Sequence, residues 1–388
     1  VIGIELGTTN SVVAILDGSQ PEIVANATGG RTTPSVVSLG TSDEWLVGEV
    51  AKRQLASKSE QTVYSIKRLM GMRFEEVSDE VATKGYKIVK GDTGMAYVEI
   101  EGEVYSPVEI SAMILTEIRK RVQEVLGETV TDAVITVPAY FNDAQRQATQ
   151  DAGRVAGLNT LRIINEPTAA ALAFGLDKGE QRNIAVFDLG GGTFDISILH
   201  LGDGVFEVKA TGGDTHLGGD DFDQLVIDWM IEEFREQTGV DLGEDRATMG
   251  RLKEAAEKAK IELSSGLESN IQLPFVATKD GEPLHLDLSL SRARFERMAQ
   301  PLIDRTLEAC LAALEDSGLT PLQIDEVIPA SDGAGGLSDA FMSWYPSGFE
   351  GDLKDAADQA TIEHVAWFAR GRLTARGYFL ADGSYGLD

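Results

Sequence analysis

With 388 residues the chain is long enough for two or three domains with separate cores, so a single small module is excluded. Its 63 acidic and 34 basic residues give a net charge of -29 without any Lys/Arg cluster, which argues against nucleic acid and membrane partners. No apolar run approaches the ~20 residues that cross a bilayer, and the single Cys310 rules out an internal disulfide framework and indicates a reducing compartment, such as the cytoplasm, an organelle matrix or the stroma.

The first predicted element is a pair of short strands. Residues 1–5 and 12–16 are β-branched, apolar runs on either side of a Gly-Thr-Thr-Asn sequence, which predicts strand, turn and strand. A helix is predicted next, because Ser106, Pro107 and Glu109 form a capping box with proline at the first helical position. Apolar residues recur at helical spacing from there to Gly127, at Ile110, Ile114, Ile118, Val122 and Val125.

A strand, a helix and a second strand follow. Residues 133–137 are apolar, Asn142 with Gln145 three residues later opens a helix that closes near Gly157, and residues 161–165 form another short strand. This spacing predicts a parallel βαβ unit. Since strand-like and helix-like segments alternate along the whole chain, an α/β fold is expected.

An internal repeat is the most informative feature. The segment GIELGTTNSVVAIL at residues 3–16 is matched by VFDLGGGTFDISIL at residues 186–199. In each copy an acid ends a strand, Leu-Gly follows, and a turn of small residues leads into a second apolar strand. Glu5 and Asp188 are 183 positions apart, as are Gly7 and Gly190. The repeat predicts two related lobes that face one another.

Both turns have a composition suited to phosphate binding. Glycine and threonine let the backbone approach a phosphate closely, with the N–H groups pointing inward. Two such turns would cradle the β- and γ-phosphates from opposite sides, and Glu5, Asp188 and Asp195 would then hold Mg²⁺ through its waters. Either turn alone suits an ordinary tight hairpin equally well, and only their pairing favours a nucleotide site. The chain has neither a P-loop nor a G-x-G-x-x-G motif.

Two further candidates come from outside the turns. Lys67, in the string YSIKRLMG, is a candidate phosphate lysine, although a single lysine in a loop is usually just solvated. In a predicted helix at residues 251–264, Glu257, Lys260 and Ser264 share one face. That face suits either an exposed ion-paired surface or contact with a ribose or adenine, and spacing alone does not choose between them.

Together these residues closely resemble the DnaK-type, seventy-kilodalton heat-shock chaperone family. Over residues 1 to about 328 the matching strings follow the family's order: GIELGTTNS, RTTPSVV, IKRLMG, VITVPAYFNDAQRQAT, IINEPTAAALAFGLD, FDLGGGTFDISIL, GDTHLGGDDFD and EKAKIELSS. The resemblance implies a two-lobed, actin-like ATPase fold with ribonuclease H-like duplicated lobes. Lobe I would be residues 1–182 (core 1–37 and 110–182, insert about 38–109), and lobe II residues 183–328 (core 183–222 and about 305–328, insert about 223–304).

The same resemblance implies that ATP or ADP binds with Mg²⁺ between the lobes. The nucleotide-binding positions that match the family's are Gly7, Thr8, Thr9, Asn10, Gly190, Gly191, Gly192, Thr193, Gly212, Gly213, Glu257, Lys260 and Ser264. Of these, the last three would hold the adenosine from lobe II.

For catalysis the resemblance implies in-line attack of water on the γ-phosphorus. Lys67 would contact the γ-phosphate and orient the water, and Asp188 and Asp195, with Thr193 beside them, would position Mg²⁺ and the water. Glu166 would lie in the outer sphere of the metal, and Glu5 is the remaining acid of the metal site. Pro138 and Arg146, with Glu166, would carry the nucleotide signal outward. In the family this cycle drives a peptide-binding domain, which this sequence lacks, and is tuned by J-domain proteins and nucleotide-exchange factors.

Two departures from the family pattern qualify this reading. The family has aspartate where this chain has Glu5, which moves the carboxylate out by one methylene beside a metal that demands near-octahedral geometry. Residues 329–388 do not resemble the family, although they are rich in aromatic residues, and Gly335-Gly336 only weakly imitates its adenine loop. This segment is either a replacement cap or a foreign end.

Three functional hypotheses follow from the sequence. The leading hypothesis is a chaperone ATPase domain. The second is a nucleotide- or partner-binding module that has lost turnover, and the third, disfavoured, is an actin-like filament protein or sugar kinase.

Overall fold

The computed structural model describes residues 1–17, 20–173, 181–202, 205–243 and 245–330. Our expectations for the C-terminal segment and for Gly335-Gly336 fall outside these ranges, as does the end of the IINEPTAAALAFGLD string. Within the described ranges, no helix combines the length and the apolar composition that crossing a membrane requires.

The strands and helices alternate as expected for an α/β protein. The strands are β1 (Ile2–Glu5), β2 (Asn10–Asp17), β3 (Gln20–Ile23), β4 (Thr33–Pro34), β5 (Val37–Leu39), β6 (Trp45–Val47), β7 (Thr62–Val63), β8 (Lys87–Lys90), β9 (Ala96–Ile100), β10 (Glu103–Tyr105), β11 (Asp132–Val137), β12 (Asn159–Asn165), β13 (Arg182–Leu189), β14 (Phe194–Gly202), β15 (Val205–Asp214), β16 (Glu268–Lys279), β17 (Glu282–Ser291) and β18 (Glu326–Ala330). The α-helices are α1 (Glu49–Lys52), α2 (Ser78–Thr83), α3 (Pro107–Leu126), α4 (Asp143–Val155), α5 (Glu166–Ala173), α6 (Gly219–Thr238), α7 (Arg246–Ser265) and α8 (Arg292–Ser317). Short 3-10 helices occur at Ser59–Gln61, Ile66–Leu69, Phe74–Glu76 and Pro321–Gln323.

Lobe I is built on one mixed sheet with the strands in the spatial order β12, β11, β1, β2, β3. β1 and β2 pair antiparallel, which confirms the predicted strand–turn–strand unit. β11 and β12 are parallel and joined by α4, which confirms the βαβ unit. Because β1 also runs parallel to β11, the ends of β1, β11 and β12 emerge at one edge of the sheet. Functional side chains in α/β folds gather at such a carboxyl edge.

The helices α3 and α4 of lobe I begin where their capping boxes predict. The Ser106 hydroxyl accepts from the Glu109 N–H at 3.2 Å, and the Asn142 side chain accepts from the Gln145 N–H at 3.0 Å. Most of the apolar stripe of α3 is buried, but Val125, in its last turn, is 50% exposed. The sequence pattern therefore extends one residue beyond the buried contact.

An insert of residues 37–105 stands apart from the main sheet of lobe I. It contains two small sheets, with the strand orders β6, β5, β7 and β10, β9, β8. Between them, the 3-10 helix Ile66–Leu69 carries Lys67 and follows Ser65, whose φ of 54° is left-handed. At Gly71, which has a φ of 68°, an added Cβ would lie 2.8 Å from the backbone nitrogen of Gln145. The chain after Lys67 is thus packed directly against the start of α4.

The sheet of lobe II has the strand order β15, β14, β13, β18 and repeats the arrangement of lobe I. The pairs Gly3–Ala14 and Glu5–Val12 in β1 and β2 correspond, at an offset of 183 residues, to the pairs Val186–Ser197 and Asp188–Asp195 in β13 and β14. β18 runs parallel to β13, as β11 does to β1. The repeat seen in the sequence is therefore a repeat of structure, down to the pairing register.

Lobe II carries three long helices and the hairpin of β16 and β17. The observed α7 starts at Arg246, five residues before the predicted start at residue 251. Buried apolar side chains form one large cluster in lobe I, from Ile2 to Leu158, and another in lobe II, from Ala185 to Val327. A third, small cluster places Ala171 of α5 against the lobe II sheet, so that the helix between the lobes packs on both.

Candidate functional site

The two repeated turns meet face to face. A Cβ added to Gly192 in the second turn would lie 2.5 Å from Thr8 Cγ2 in the first. Real Cβ atoms do not approach other atoms this closely, so only glycine fits there. Thr8 itself is 4% exposed. Because the two strand ends that carry acids lead into these turns, their carboxylates and amides converge on one place between the lobes.

The second turn is held by the beginning of α6. The N–H of Gly219 donates to the Gly190 carbonyl at 2.9 Å, and the N–H of Asp220 donates to the Gly191 carbonyl at 2.8 Å. A Cβ on Gly218 would lie 2.5 Å from the nitrogen of Gly192. The string GDTHLGGDDFD thus has a backbone role, since it packs a helix start against a glycine turn.

The first turn is held by the RTTPSVV string. Ser35 donates its N–H to the Thr9 carbonyl and its hydroxyl to the Gly7 carbonyl, both at 2.8 Å. Asn10 and Pro34 are paired across β2 and β4. Each turn is therefore rigidly supported by a segment that follows it in its own lobe.

Between the turns lies a cleft with about 840 Å³ of empty space, counted together with its opening to solvent. The predicted residues that line it are Thr8, Thr9, Gly190, Gly191, Glu257, Lys260 and Ser264. The α7 face is ion-paired, but it lines the cleft and is not the exposed surface of the first interpretation. Its contact with a ribose or adenine stays a prediction. Glu257 lies 2.8 Å from Lys52, and Lys260 lies 2.7 Å from Asp223.

Lys67 is buried rather than solvated. Its ammonium donates to Glu166 Oε1 at 2.8 Å, and the side chains are only 7% and 10% exposed. Burial opposes the charge on Lys67, but the neighbouring carboxylates Glu166, Glu5 and Asp188 outweigh it and raise the pKa of the lysine. The structure thus brings together a residue of the insert, the first residue of α5 and the two acids of the repeated hairpins.

The carboxylates of this group repel one another. Burial, followed by Glu166, Asp195 and Glu5, raises the pKa of Asp188 well above its usual value, although Lys67 opposes the shift. Burial and Glu166 raise the pKa of Asp195 to about 7, against the opposing effects of Lys67 and of the Tyr140 N–H. Four acids around one lysine leave an excess of negative charge that a cation would relieve.

A metal ion would not be held here by direct protein ligands alone. Among the described residues, no group of three or more His, Cys, Asp or Glu side chains is close enough to hold one. The donor set still suits Mg²⁺, which takes carboxylate oxygen and retains several of its waters. The residues available for such water-mediated binding are Glu5, Asp188, Asp195 and Glu166, the predicted set.

Pro138 and Arg146 lie on a segment that touches the acids. The N–H of Tyr140 approaches Asp195 Oδ1 at 3.4 Å. Arg146 donates from α4 to the carbonyls of Ala139 and Phe141, at 3.0 and 2.8 Å. A displacement of Asp195 therefore has a short connected route to α4 on the outside of lobe I.

Gly212 and Gly213 lie in β15, outside the group that lines the cleft. A Cβ on Gly212 would lie 3.1 Å from the Ala309 carbonyl of α8, and one on Gly213 would lie 2.2 Å from the Phe194 carbonyl. Close packing of helix and strand thus explains why glycine occurs at these two positions. Their nucleotide role stays a prediction.

Sequence reasoning missed a buried charge network that spans the cleft. Lys253 binds Asp220 at 2.6 Å and Asp223 at 2.7 Å, and Lys84 from the insert reaches Asp220 at 3.3 Å. Although burial raises the pKa of Asp220, the three cations around it, of which Lys253 has the largest effect, hold it well below its usual value. The signal was visible, because Lys253 stands four residues before Glu257 on the same helical face.

Arg68 ties the insert of lobe I to the second turn. Its guanidinium donates to the Gly192 carbonyl at 3.1 Å and binds both carboxylate oxygens of Asp221. Asp221 in turn accepts from the Gly218 N–H at 2.7 Å. The residue next to Lys67 in sequence thus fixes the position of the glycine turn opposite.

The chain matches a known protein family. The family model described as Hsp70 protein matches residues 1–330 of the chain. The matched region includes both turns, the insert with Lys67, the charge network and all of α7, and it ends with β18.

Proposed function

Because the chain belongs to the Hsp70 protein family and has its actin-like ATPase fold, we propose that it binds and hydrolyses Mg-ATP between its lobes as the nucleotide-binding domain of a DnaK-type chaperone. At the coarser level, the family establishes a chaperone ATPase-type domain. The observation that carries the finer proposal is the contact of the two turns at Gly192 and Thr8, in the same cleft as the polar face of α7.

The turns would bind the β- and γ-phosphates. Backbone N–H groups of Gly192 and Thr193 and of Thr8 to Asn10 suit anionic oxygens, because glycine and small side chains leave the backbone accessible. The support of each turn by Ser35 and by α6 favours this role, since a preorganised donor stabilises charge without moving. Bound Mg²⁺ would neutralise phosphate charge and orient the phosphates.

Lys67 and the acids would position the attacking water. The Glu166 pair holds the Lys67 ammonium in place and charged, so that it can contact a γ-phosphate oxygen. Asp195, with its pKa near neutrality, can accept a hydrogen bond from the water and share its proton as the oxygen bonds to phosphorus. The bond between the γ-phosphorus and the bridging oxygen then breaks, which yields ADP and phosphate.

Adenosine would bind against α7. Glu257, Lys260 and Ser264 line the cleft beside the half-exposed apolar Ile261. An apolar side chain flanked by polar groups suits a base attached to a ribose.

The nucleotide signal would leave the site through the segment between Pro138 and Arg146, because Tyr140 contacts Asp195 and Arg146 contacts the residues on either side of Tyr140. J-domain proteins, exchange factors and a peptide-binding domain would act on this cycle, as generally in the family. We also propose that the lobes divide near residue 182 and that the protein resides in a reducing compartment. The buried free thiol of Cys310 supports the second of these.

Glu5 favours one alternative, a module with the same fold that binds nucleotide but turns over slowly. Its carboxylate lies close enough to Lys67 and Asp188 to raise the pKa of both. One extra methylene at this position displaces the carboxylate from the place where the family has aspartate.

Calorimetry with Mg-ATP and Mg-ADP, followed by a single-turnover hydrolysis assay, tests both readings. We expect binding that weakens when EDTA removes Mg²⁺, and we expect Glu5→Asp to raise the hydrolysis rate by up to roughly tenfold, or ~1.4 kcal/mol of barrier. Lys67→Ala should bind ATP and fail to hydrolyse it.

Three outcomes separate the hypotheses. Binding without hydrolysis selects the slow module, and an unchanged or lower rate in Glu5→Asp removes the explanation based on Glu5. The absence of binding in the unmodified chain would overturn the proposed function as a whole.

A further inference from the structure

The face of α7 that lines the cleft has one position without a side chain. Gly250, Lys253, Glu257, Lys260 and Ser264 are three or four residues apart and so share one side of the helix. All but Gly250 line the cleft, and Gly250 continues the stripe by one turn toward the start of α7. Glycine inside a helix is less favourable than alanine, so its presence there calls for a reason.

The reason is a close approach to the insert of lobe I. A Cβ on Gly250 would lie 2.3 Å from the Leu55 carbonyl oxygen and 2.8 Å from the Ser59 hydroxyl. Both are buried, at 4% and 2% exposure. The 2.3 Å contact is with backbone, which no side-chain rotation can relieve. The Ser59 hydroxyl has no hydrogen-bond partner within the described residues. The contact between Gly250 and Ser59 therefore depends on steric packing and not on a hydrogen bond.

Two turns further along α7 from Gly250, an ion pair joins the two walls of the cleft. It lies between Lys52 of the insert and Glu257 of α7, which are 2.8 Å apart. Since a helix moves as a rigid rod over two turns, an atom inserted at Gly250 would push α7 outward and lengthen that ion pair.

We propose that Gly250 is a positioning residue: its missing side chain sets the width of the cleft and thereby how long a nucleotide stays bound. The ligand in this inference rests on the proposed function, whereas the contact of α7 with the insert does not depend on it.

Gly250→Ala tests the inference in the full chain, with Glu254→Ala on the exposed outer side of α7 as the control. Release of a fluorescent ADP, followed by stopped flow, is expected to become about tenfold faster in Gly250→Ala, which corresponds to ~1.4 kcal/mol, and to stay unchanged in the control. The thermal midpoint of the nucleotide-free protein is expected to fall slightly in Gly250→Ala, because the added Cβ overpacks the contact with Leu55 while alanine favours the helix. A merely structural defect would lower that midpoint and leave the rate of ADP release unchanged.

A distance measurement makes the test independent of nucleotide binding. Spin labels at Glu60→Cys in the insert and Lys258→Cys on the exposed side of α7 report the separation of the two walls. A longer distance in Gly250→Ala supports the inference. The inference is overturned if Gly250→Ala and the unmodified protein have the same distance between the spin labels, or if they release ADP at the same rate. If the unmodified chain binds no nucleotide, the proposed function fails, and the label distance alone decides whether Gly250 sets the width.

Discussion

At the scale of single residues, the site is defined by a shortage of positive charge. Lys67 is held by Glu166, yet Asp188 and Asp195 remain beside it with raised pKa values. Groups of this kind are typical of functional sites, since a fold gains no stability from buried like charges. The repulsion between these carboxylates destabilises the folded protein when no cation is bound, and a bound cation reduces it.

This repulsion predicts a pH dependence of stability. The folded-state pKa of Asp195, about 7, is above its unfolded value, so the folded protein binds more protons in between and is destabilised as pH rises. Without nucleotide or metal, the free energy of unfolding should therefore increase as the pH is lowered from about 8 to about 6. Urea unfolding at several pH values measures it.

Asp195→Asn is the matched control, since it keeps the shape and cannot ionise. Its unfolding free energy should depend less on pH over the same window. An equal dependence in both proteins would mean that Asp195 is not the group responsible.

For the two turns, the sequence carried a physical signal. Phosphate turns need small residues at fixed offsets from an acid, and both turns show that pattern with Glu5 and Asp188. Arg68 and Asp220 escaped notice because their role depends on contacts between lobes, and residues 153 positions apart, such as Arg68 and Asp221, carry no local signal.

At the scale of elements, the helix starts hold the turns in place. α6 donates two backbone N–H groups to carbonyls of the glycine turn, so the positions of α6 and of that turn are coupled. The extended φ of -170° at Gly218 would admit any residue, so close packing alone requires glycine there.

Gly218→Ala should therefore displace the second turn. We expect a loss of roughly 1–3 kcal/mol in unfolding free energy, the usual cost of overpacking, together with weaker binding of Mg-ATP in calorimetry. Gly3→Ala is a suitable control, because the nearest atom to its added Cβ is 4.0 Å away. If Gly218→Ala bound nucleotide as the control does, the turn would not depend on this contact.

Two helix starts were predicted from local signals, whereas the start of α7 was not. The capping boxes at Ser106 and Asn142 fixed the starts of α3 and α4. α7 begins five residues before the predicted start. Asp245 directly precedes the helix and accepts from the Thr248 hydroxyl, a local start signal that the sequence analysis missed. The contact of Thr248 with the Val276 carbonyl is tertiary and has no local signal.

At the scale of the whole molecule, buried ion pairs join the two lobes. Lys253 and Asp220 lie at the centre, Lys84 and Ser65 reach them from the insert, and Lys260 extends the network along α7. Two lobes with separate cores are thereby coupled through charges that neither lobe neutralises alone.

Lys253→Met should accordingly be costly, because it leaves Asp220 and Asp223 short of a cation. We expect a loss of about 3 kcal/mol in the free energy of unfolding, the scale for breaking a buried pair. Chemical denaturation measures it. Lys258→Met, whose side chain is 74% exposed, is the control and should change stability by less than about 0.5 kcal/mol.

Adding Asp220→Asn to Lys253→Met should recover part of the loss, since the uncompensated charge is removed. Equal stability of Lys253→Met and its control would mean that the network contributes nothing to folding.

The shared register of the two hairpins has a further consequence. Because of their common 183-residue offset, Thr8 takes in the first hairpin the place that Gly191 takes in the second, and Val12 takes the place of Asp195. A scaffold with perfect symmetry would accept an elongated ligand equally well in either direction. A preferred direction therefore comes from the positions at which the two hairpins differ: beside its turn the first carries one acid, Glu5, whereas the second carries two, Asp188 and Asp195.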